Sequence, residues 1–361
     1  MPSIKIALAG IGNCASSLLQ GIQFYKDQQL GGGNGLAHEI IGGYTVQDIV
    51  PVAAFDIDRR KVTRPLREAV FAPPNCTTVF ESGLPDYDVI VKMGPVLDSC
   101  ADHLNQFPET DALQVAEEHP VNLAEALRDS GAHVLLCYLP VGSEQAVRAY
   151  ADACVDAGVA MVNCVPVFLA SDEGCAALFR EAGVPIVGDD IKSQFGTTIV
   201  HRQLVRMLRD RGIQPKRTYQ LNVGGNTDFM NMLARSRLVS KKQSKTEAVQ
   251  SQLEVPLDAT AIHVGPSDYV PWMKDNKVGF VRIEWEGFGG VPMHLELRLS
   301  VEDSPNSAGV AIDALRYAKV ALDRGIGGPL EAASAYLMKR PPRQMRDDEA
   351  RLALANFVGS E

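Results

Sequence analysis

The sequence predicts an α/β protein: a doubly wound parallel sheet, an α+β domain inserted after it, and a helical segment at the end. Three observations predict this. Short apolar runs suited to buried strands alternate with helix-length segments through the first half of the 361-residue chain, the pattern of a parallel sheet covered on both faces. The first run breaks at "GIGNCASS", residues 10–17, a glycine-rich turn that opens a helix. After about residue 205 the texture changes to alternating apolar and polar positions, as in "HLELRLSV", which marks strands with one polar face.

Residues 4–9 form the first strand, an apolar run. The turn after it reads G-x-G-x-x-A. Gly10 permits a tight turn, Gly12 lets the backbone approach a pyrophosphate, and Ala15 lets helix and strand pack closely. The helix start at Asn13 and Cys14 offers free N–H groups and a positive dipole to phosphates. A plain tight βα turn would look the same. The next strand, "VPVAAFDID", ends in Asp56, with Asp58 two residues on. Asp56 lies farther from Gly10 than the usual ~20 residues, and "LGGGNGLAHEIIGGY", residues 30–44, accounts for the excess as an extended loop. A carboxylate there holds ribose hydroxyls and repels a 2′-phosphate, so this Rossmann-type turn predicts NAD rather than NADP. The bland alternative is a strand-end cap.

Further strands are expected at residues 89–91, 132–140, 159–167 and 184–190, with helices at 143–157 and 171–182 between them. Ligands bind where such strands end, so residues 138–142 (with Tyr138, Leu139 and Pro140), Asn163 and residues 189–193 (with Asp190 and Ser193) should line one cleft. Beyond residue 205, the segments 260–264, 278–285 and 293–301 read as antiparallel strands, and residues 307–323 as a helix that returns to the first domain.

Composition excludes several classes. A formal charge of −9 argues against nucleic acid, whose phosphates need a basic surface. No run approaches the ~18 apolar residues of a membrane span, and the N-terminus carries no secretory pattern. Seven cysteines, all in the first half, form no C-x-x-C pair and read as reduced core residues of a cytoplasmic protein. The histidines show no zinc spacing. Against this acidic background, "LVSKKQSKTEAV", residues 238–249, gathers three lysines in five positions. As a helix it puts Lys241 and Lys245 on one face, where like charges repel by a few tenths of a kcal/mol. A solvated helix face is the simplest reading of the run alone.

The stretches "GIGNCASS", "YLPVGSE", "VGDDIKSQ", "LNVGGNTDF", "SKKQSK", "HVGPSDYV", "DSPNSAG" and "ASAYLMK" occur in this order, and together they resemble the myo-inositol-1-phosphate synthases, especially their shorter bacterial form. The resemblance covers nearly the whole chain. It implies redox-neutral conversion of D-glucose 6-phosphate to 1D-myo-inositol 3-phosphate, with NAD oxidising and then re-reducing one substrate. It also implies residues 1–204 as the NAD-binding domain, 205–306 as a catalytic and tetramerisation domain, and 307–361 as the helical return.

The resemblance also gives the lysines a purpose. A phosphate dianion, a C5 ketone, an enolate and an aldolate each want cations or proton donors, and crowded ammonium groups depress one another's pKa. The matching residues are Lys241, Lys245, Lys277 and Lys339. Lys241 and Lys339 would handle the C5 hydroxyl proton, Lys277 the C1 oxygen, and Lys245 the phosphate. Asp303 and Asp228 match family aspartates near the nicotinamide, and Asn226, Thr227 and Ser304, in the same motifs, are expected cofactor contacts. Asp303 could equally cap a helix starting near Ser307. Lys242 should face solvent. Whether a divalent or monovalent cation is needed is open.

Bacterial members of the family tend to carry tryptophan where this chain has Val278 and Glu302, so a changed pocket wall is expected. That keeps open a sister enzyme for another hexose phosphate, such as fructose 6-phosphate. An ordinary NAD-dependent dehydrogenase and a non-catalytic NAD sensor are the other readings, and neither explains four lysines.

Overall fold

The computed structural model describes residues 3–27 and 35–359, the side chains of 266 and 267 excepted. The first part of the expected 30–44 loop, residues 30–34, lies outside them. Eleven strands are described, β1 (Ile4–Ala9), β2 (Ile49–Asp56), β3 (Lys92–Met93), β4 (Val134–Cys137), β5 (Ala160–Asn163), β6 (Pro185–Val187), β7 (Pro215–Gly224), β8 (Ile262–Tyr269), β9 (Asn276–Glu286), β10 (Pro292–Glu302) and β11 (Gly328–Pro329). The α-helices are α1 (Asn13–Asp27), α2 (Leu66–Ala69), α3 (Leu123–Ser130), α4 (Glu144–Ala157), α5 (Glu173–Glu181), α6 (Thr197–Asp210), α7 (Thr227–Asn231), α8 (Val239–Gln250), α9 (Asp303–Asp323), α10 (Glu331–Leu337) and α11 (Asp347–Gly359).

Seven strands build one sheet in the order β11-β6-β5-β4-β1-β2-β3, with every pair parallel. The order reverses at β1, and the crevice outside the strand ends at such a switch point is where ligands bind. Side chains of β1 alternate between two cores: Ile4, Ile6 and Leu8 join one with α1 and α9, while Ala7 and Ala9 join the other with α3, α4 and α5. Burial on both faces explains why these strands read as apolar runs.

Helix α6 leads into the second sheet, ordered β10-β9-β7-β8. Val264, Val281 and Ile283 on its inner face pack against Val205, Leu208, Val249 and Leu253 from α6, α8 and the turn after α8. The chain then returns as α9, which lies beside α1.

Three expectations need correction. The segment 260–264 belongs to β8, which pairs parallel with β7; only β9 and β10 run antiparallel. The cause is α8, which crosses over between β7 and β8 and so brings the chain back in the same direction. Residues 89–91 are not the strand of the first sheet; they bond back to residues 63–66, and the edge strand follows as β3. Helix α9 begins at Asp303, not near Ser307, with Glu302 at its N-cap and no side-chain cap, so Asp303 is a first-turn residue rather than a cap.

Candidate active site

One cavity runs from the Gly10 turn to the lysine cluster between the two sheets. At the end beside α1, Gly10 has φ +89° and a Cβ there would lie 2.7 Å from the Tyr138 carbonyl oxygen, so only glycine fits. Asp56 closes the turn. Its carboxylate accepts the backbone N–H groups of Ile11 (2.6 Å), Ile57 (2.7 Å) and Asp58 (2.8 Å). Beside it, the buried Lys61 donates to the Ile11 carbonyl and Asn75 Oδ1, both at 2.8 Å.

Gly12, Asn13, Cys14, Tyr138, Leu139, Pro140, Ser193, Asn226, Thr227 and Ser304 also line this cavity. Ala15 is fully buried and serves packing. The Asn13 amide oxygen is spent on the N–H groups of Cys76 and Thr77, which fixes the 74–77 loop over the start of α1. Burial pushes the Cys14 thiol up to about 12, so it is a neutral neighbour of Ser304 and Ser307.

At the other end, α8 presents Lys241, Ser244 and Lys245 on its buried side and leaves Lys242 exposed. Lys241 Nζ lies 2.6 Å from Asp228 Oδ2, Lys277 pairs with Asp303, and Lys339 Nζ donates to Asp190 Oδ1 at 2.8 Å and the Ile191 carbonyl at 2.6 Å. Asp190, expected at the cofactor, lines the same cavity and also meets the lysines; its other oxygen accepts the Ser244 hydroxyl at 2.7 Å. Lys245 makes no hydrogen bond or ion pair among the described residues.

Charge separates the lysines. Burial and then the ammonium groups of Lys241, Lys339 and Lys277 push Lys245 down to about 7. Burial also acts on Lys241, but Asp228, Asp190 and Asp303 outweigh it and raise that group above the ordinary lysine value. Asp303 moves the other way, its burial outweighed by Lys277, Lys241 and Lys339. The mutual depression expected of crowded lysines therefore falls on Lys245.

The sequence reading missed several groups. Asp275 accepts Asn226 Nδ2 (2.8 Å) and the Ser304 hydroxyl (2.9 Å), and its carbonyl accepts the Asp303 N–H, so one buried carboxylate ties α7 to α9. Helix α6 starts at the cavity wall with Gly196 at its N-cap, and Thr197, Thr198 and Ile199 line the cavity. Thr197 Oγ1 is buried and unpartnered among the described residues. The "GTT" opening of α6 was the available signal. Val278 and Glu302, the two departures, do not line the cavity; Glu302 bonds Thr78 and Asn276. The expected change of pocket wall is not found.

Among the described residues, no group of three His, Cys, Asp or Glu side chains could hold a metal ion, and no helix is long and apolar enough to cross a membrane.

The fold and this cavity define a Rossmann-like α/β enzyme whose reaction chamber is lined by lysines. A family model described as myo-inositol-1-phosphate synthase matches residues 196–304. The chain is 52% identical over 360 residues to inositol-3-phosphate synthase of Mycolicibacterium smegmatis, covering 98% of both. It is 51% identical over 362 residues to inositol-3-phosphate synthase of Corynebacterium glutamicum, covering 99% of this chain and 98% of that one. The crystal structure of Ari2 superposes with a TM-score of 0.78 at 35% identity, covering 99% and 100% of the two chains. The chain belongs to the inositol-3-phosphate synthase family.

Proposed function

We propose that the protein cyclises D-glucose 6-phosphate to 1D-myo-inositol 3-phosphate with NAD as a recycled cofactor. The observation that carries this is one cavity with a dinucleotide turn at one end and four lysines interleaved with Asp190, Asp228 and Asp303 at the other. NAD suits the first end: Gly10 leaves room for a close backbone approach, α1 starts there, and the Asp56 carboxylate opposes a 2′-phosphate. When bound there, NAD would supply the hydride acceptor for oxidation at C5 and the hydride donor for its reversal.

The residues divide the remaining work. The first N–H groups of an α-helix have no partner within it, so Thr197, Thr198 and Ile199 offer α6 donors to the substrate phosphate. Lys245 supplies the cation, and an incoming dianion favours its charged form. Lys339 takes up the C5 hydroxyl proton, and Asp190, itself held by the Ser244 hydroxyl, keeps that lysine in place. Lys241, kept cationic by its carboxylates, stabilises the oxygen at C5 as its charge changes. Lys277, oriented by Asp303, polarises the C1 aldehyde and meets the oxyanion formed on ring closure. The phosphate itself can assist removal of the C6 proton.

Incubation with glucose 6-phosphate and catalytic NAD tests this: inositol phosphate should form without net NADH. Steady NADH would indicate a dehydrogenase, and no turnover a sensor. Fructose 6-phosphate is the comparison substrate, and turnover of it alone would assign the sister reaction, whose sequence support at Val278 and Glu302 lies off the cavity.

Residues 205–306 are proposed to carry assembly as well as catalysis. On the outer face of the second sheet, Tyr219, Leu221 and Phe280 stand among Arg282 and Glu284 with Phe280 40% exposed, a surface suited to a second copy in a homotetramer. The free cysteines suit a reducing cytoplasm.

A further inference from the structure

We propose that Asn306 is a positioning residue that sets the phosphate-binding start of α6, an inference that rests on the phosphate reading above. Its side chain grips one peptide segment from both sides. Asn306 Oδ1 accepts the Phe195 N–H at 3.0 Å, and Asn306 Nδ2 donates to the Phe195 carbonyl at 2.8 Å. The Asn306 carbonyl accepts the Gln194 N–H at 2.7 Å. A residue that takes both the N–H and the C=O of an opposite residue reproduces the two-bond pairing of adjacent strands.

The gripped segment has little else to hold it. Upstream, Lys192 is bonded through its N–H to the Leu337 carbonyl, and downstream the first helical bond of α6 runs from Val200 to Gly196. Between them, among the described residues, the main-chain hydrogen bonds are those to Asn306. Gln194 and Phe195 are themselves exposed, so packing does not fix the turn. Space around it is nonetheless tight: a Cβ on Gly196 would lie 2.8 Å from Ser193 Cβ, and one on Gly309 would lie 3.0 Å from Gln194 Oε1.

Asn306 and Asp303 stand three residues apart at the start of α9 and so share a face. One rigid helix turn thereby places the carboxylate that orients Lys277 and the clamp that aims the α6 N–H groups. The distance between the phosphate and the reacting carbons is set by that turn, and a small misplacement of a bound group costs rate and affinity steeply.

The test is Asn306→Ala in the full-length protein, read against wild type by three measurements. These are the steady-state KM and kcat for glucose 6-phosphate, the dissociation constant of inorganic phosphate, and that of NAD. The expected result is a rise of about tenfold or more in KM and in the phosphate constant together, the loss of roughly one good contact, with NAD binding unchanged. Asn306→Ser, a residue well suited to a helix start, should show the same shift and provides the comparison if the alanine variant does not fold. Wild-type KM and phosphate affinity in the variants would overturn the inference while leaving the function intact. Equal losses for phosphate and NAD would also overturn it, since they would show general loosening. A wild-type protein that neither binds inorganic phosphate nor turns over a hexose phosphate would overturn the proposed function and this inference together.

Discussion

Lys241 Nζ and Asp228 Oδ2 lie 2.6 Å apart, joining α8 to α7 at the cavity wall, while Lys242 one residue on is exposed. Lys241→Ala should lower kcat by roughly 10²-fold or more, as expected for a positioned acid–base or charge-stabilising group. Lys242→Ala should change it by less than about fivefold, since an exposed charge contributes under about 1 kcal/mol. Both variants should bind NAD as the wild type does. Equal losses in the two would show a diffuse electrostatic patch and remove the named role.

Lys245 links activity to pH. Its folded pKa of about 7 lies below the ordinary lysine value of 10.5, so the ligand-free protein resists charging it. In the window from about 7 to 10.5 the unfolded chain binds this proton and the folded one does not, so the group adds stability as pH rises there. The phosphate role proposed for Lys245 requires the charged form, so phosphate affinity should fall as pH rises above about 7. Lys245→Arg, which stays charged, should flatten that fall in a calorimetric pH series.

The same lysine should trade stability for function. Lys245→Met removes a buried cation without an ion-pair partner and should raise the melting temperature of the ligand-free protein by about 2 °C or more at pH 7, while abolishing most activity. A lower melting temperature would show that the ammonium is paid for within the fold.

Asp56→Asn should weaken NAD binding by about tenfold or more and narrow the discrimination against NADP. The neutral amide neither accepts three N–H groups as well nor repels a 2′-phosphate. Titration of both dinucleotides by fluorescence measures this. Unchanged preference would return Asp56 to a strand-end cap.

Thr197→Val offers a test with two signs. If the hydroxyl serves phosphate, the valine variant should raise the KM for glucose 6-phosphate several-fold while the thermal stability holds or improves, because an unpartnered buried hydroxyl is removed. If KM is unmoved, the Thr197 hydroxyl does not serve the phosphate, and its seating is left to the backbone N–H groups of the α6 start.

Phe280→Glu, on the open face of the second sheet, should lower the molar mass in light scattering from that of a tetramer. A wild-type monomer at micromolar concentration would refute the assembly outright.

Local signals carried much of the reading. Gly10, Gly12 and Asp56 belong to a single βαβ unit, so their spacing and residue types could be read together from one stretch of sequence. Lys241 and Lys245 stand out as cations one helical turn apart in an acidic chain, but the run alone reads most simply as a solvated face, and only the resemblance gives them a purpose. Asp275 was not legible, since its partners Asn226 and Ser304 are 49 and 29 residues away and nothing local marks a hub. The partners of Asp190 were not legible either: it follows a strand end, where cofactor contacts are expected, and its two oxygens accept Lys339 and Ser244, 149 and 54 residues away. The direction of β8 was missed for a related reason: alternation reports which face is buried, and only the crossover through α8 reports which way the strand runs.

Lys339 stands near the end of the chain, held by main-chain and side-chain bonds to Asp190. During synthesis it leaves the ribosome after every other residue of the chamber. A growing chain can form the Gly10 turn and the second sheet first, domains forming in order as they emerge, but the chamber is complete only once residue 339 has emerged. A chain cut short before residue 339 would lose with that lysine also Asp347, the ion-pair partner of the buried Lys192 and Arg202, so the same cut that empties the chamber of a cation strands two others in the interior.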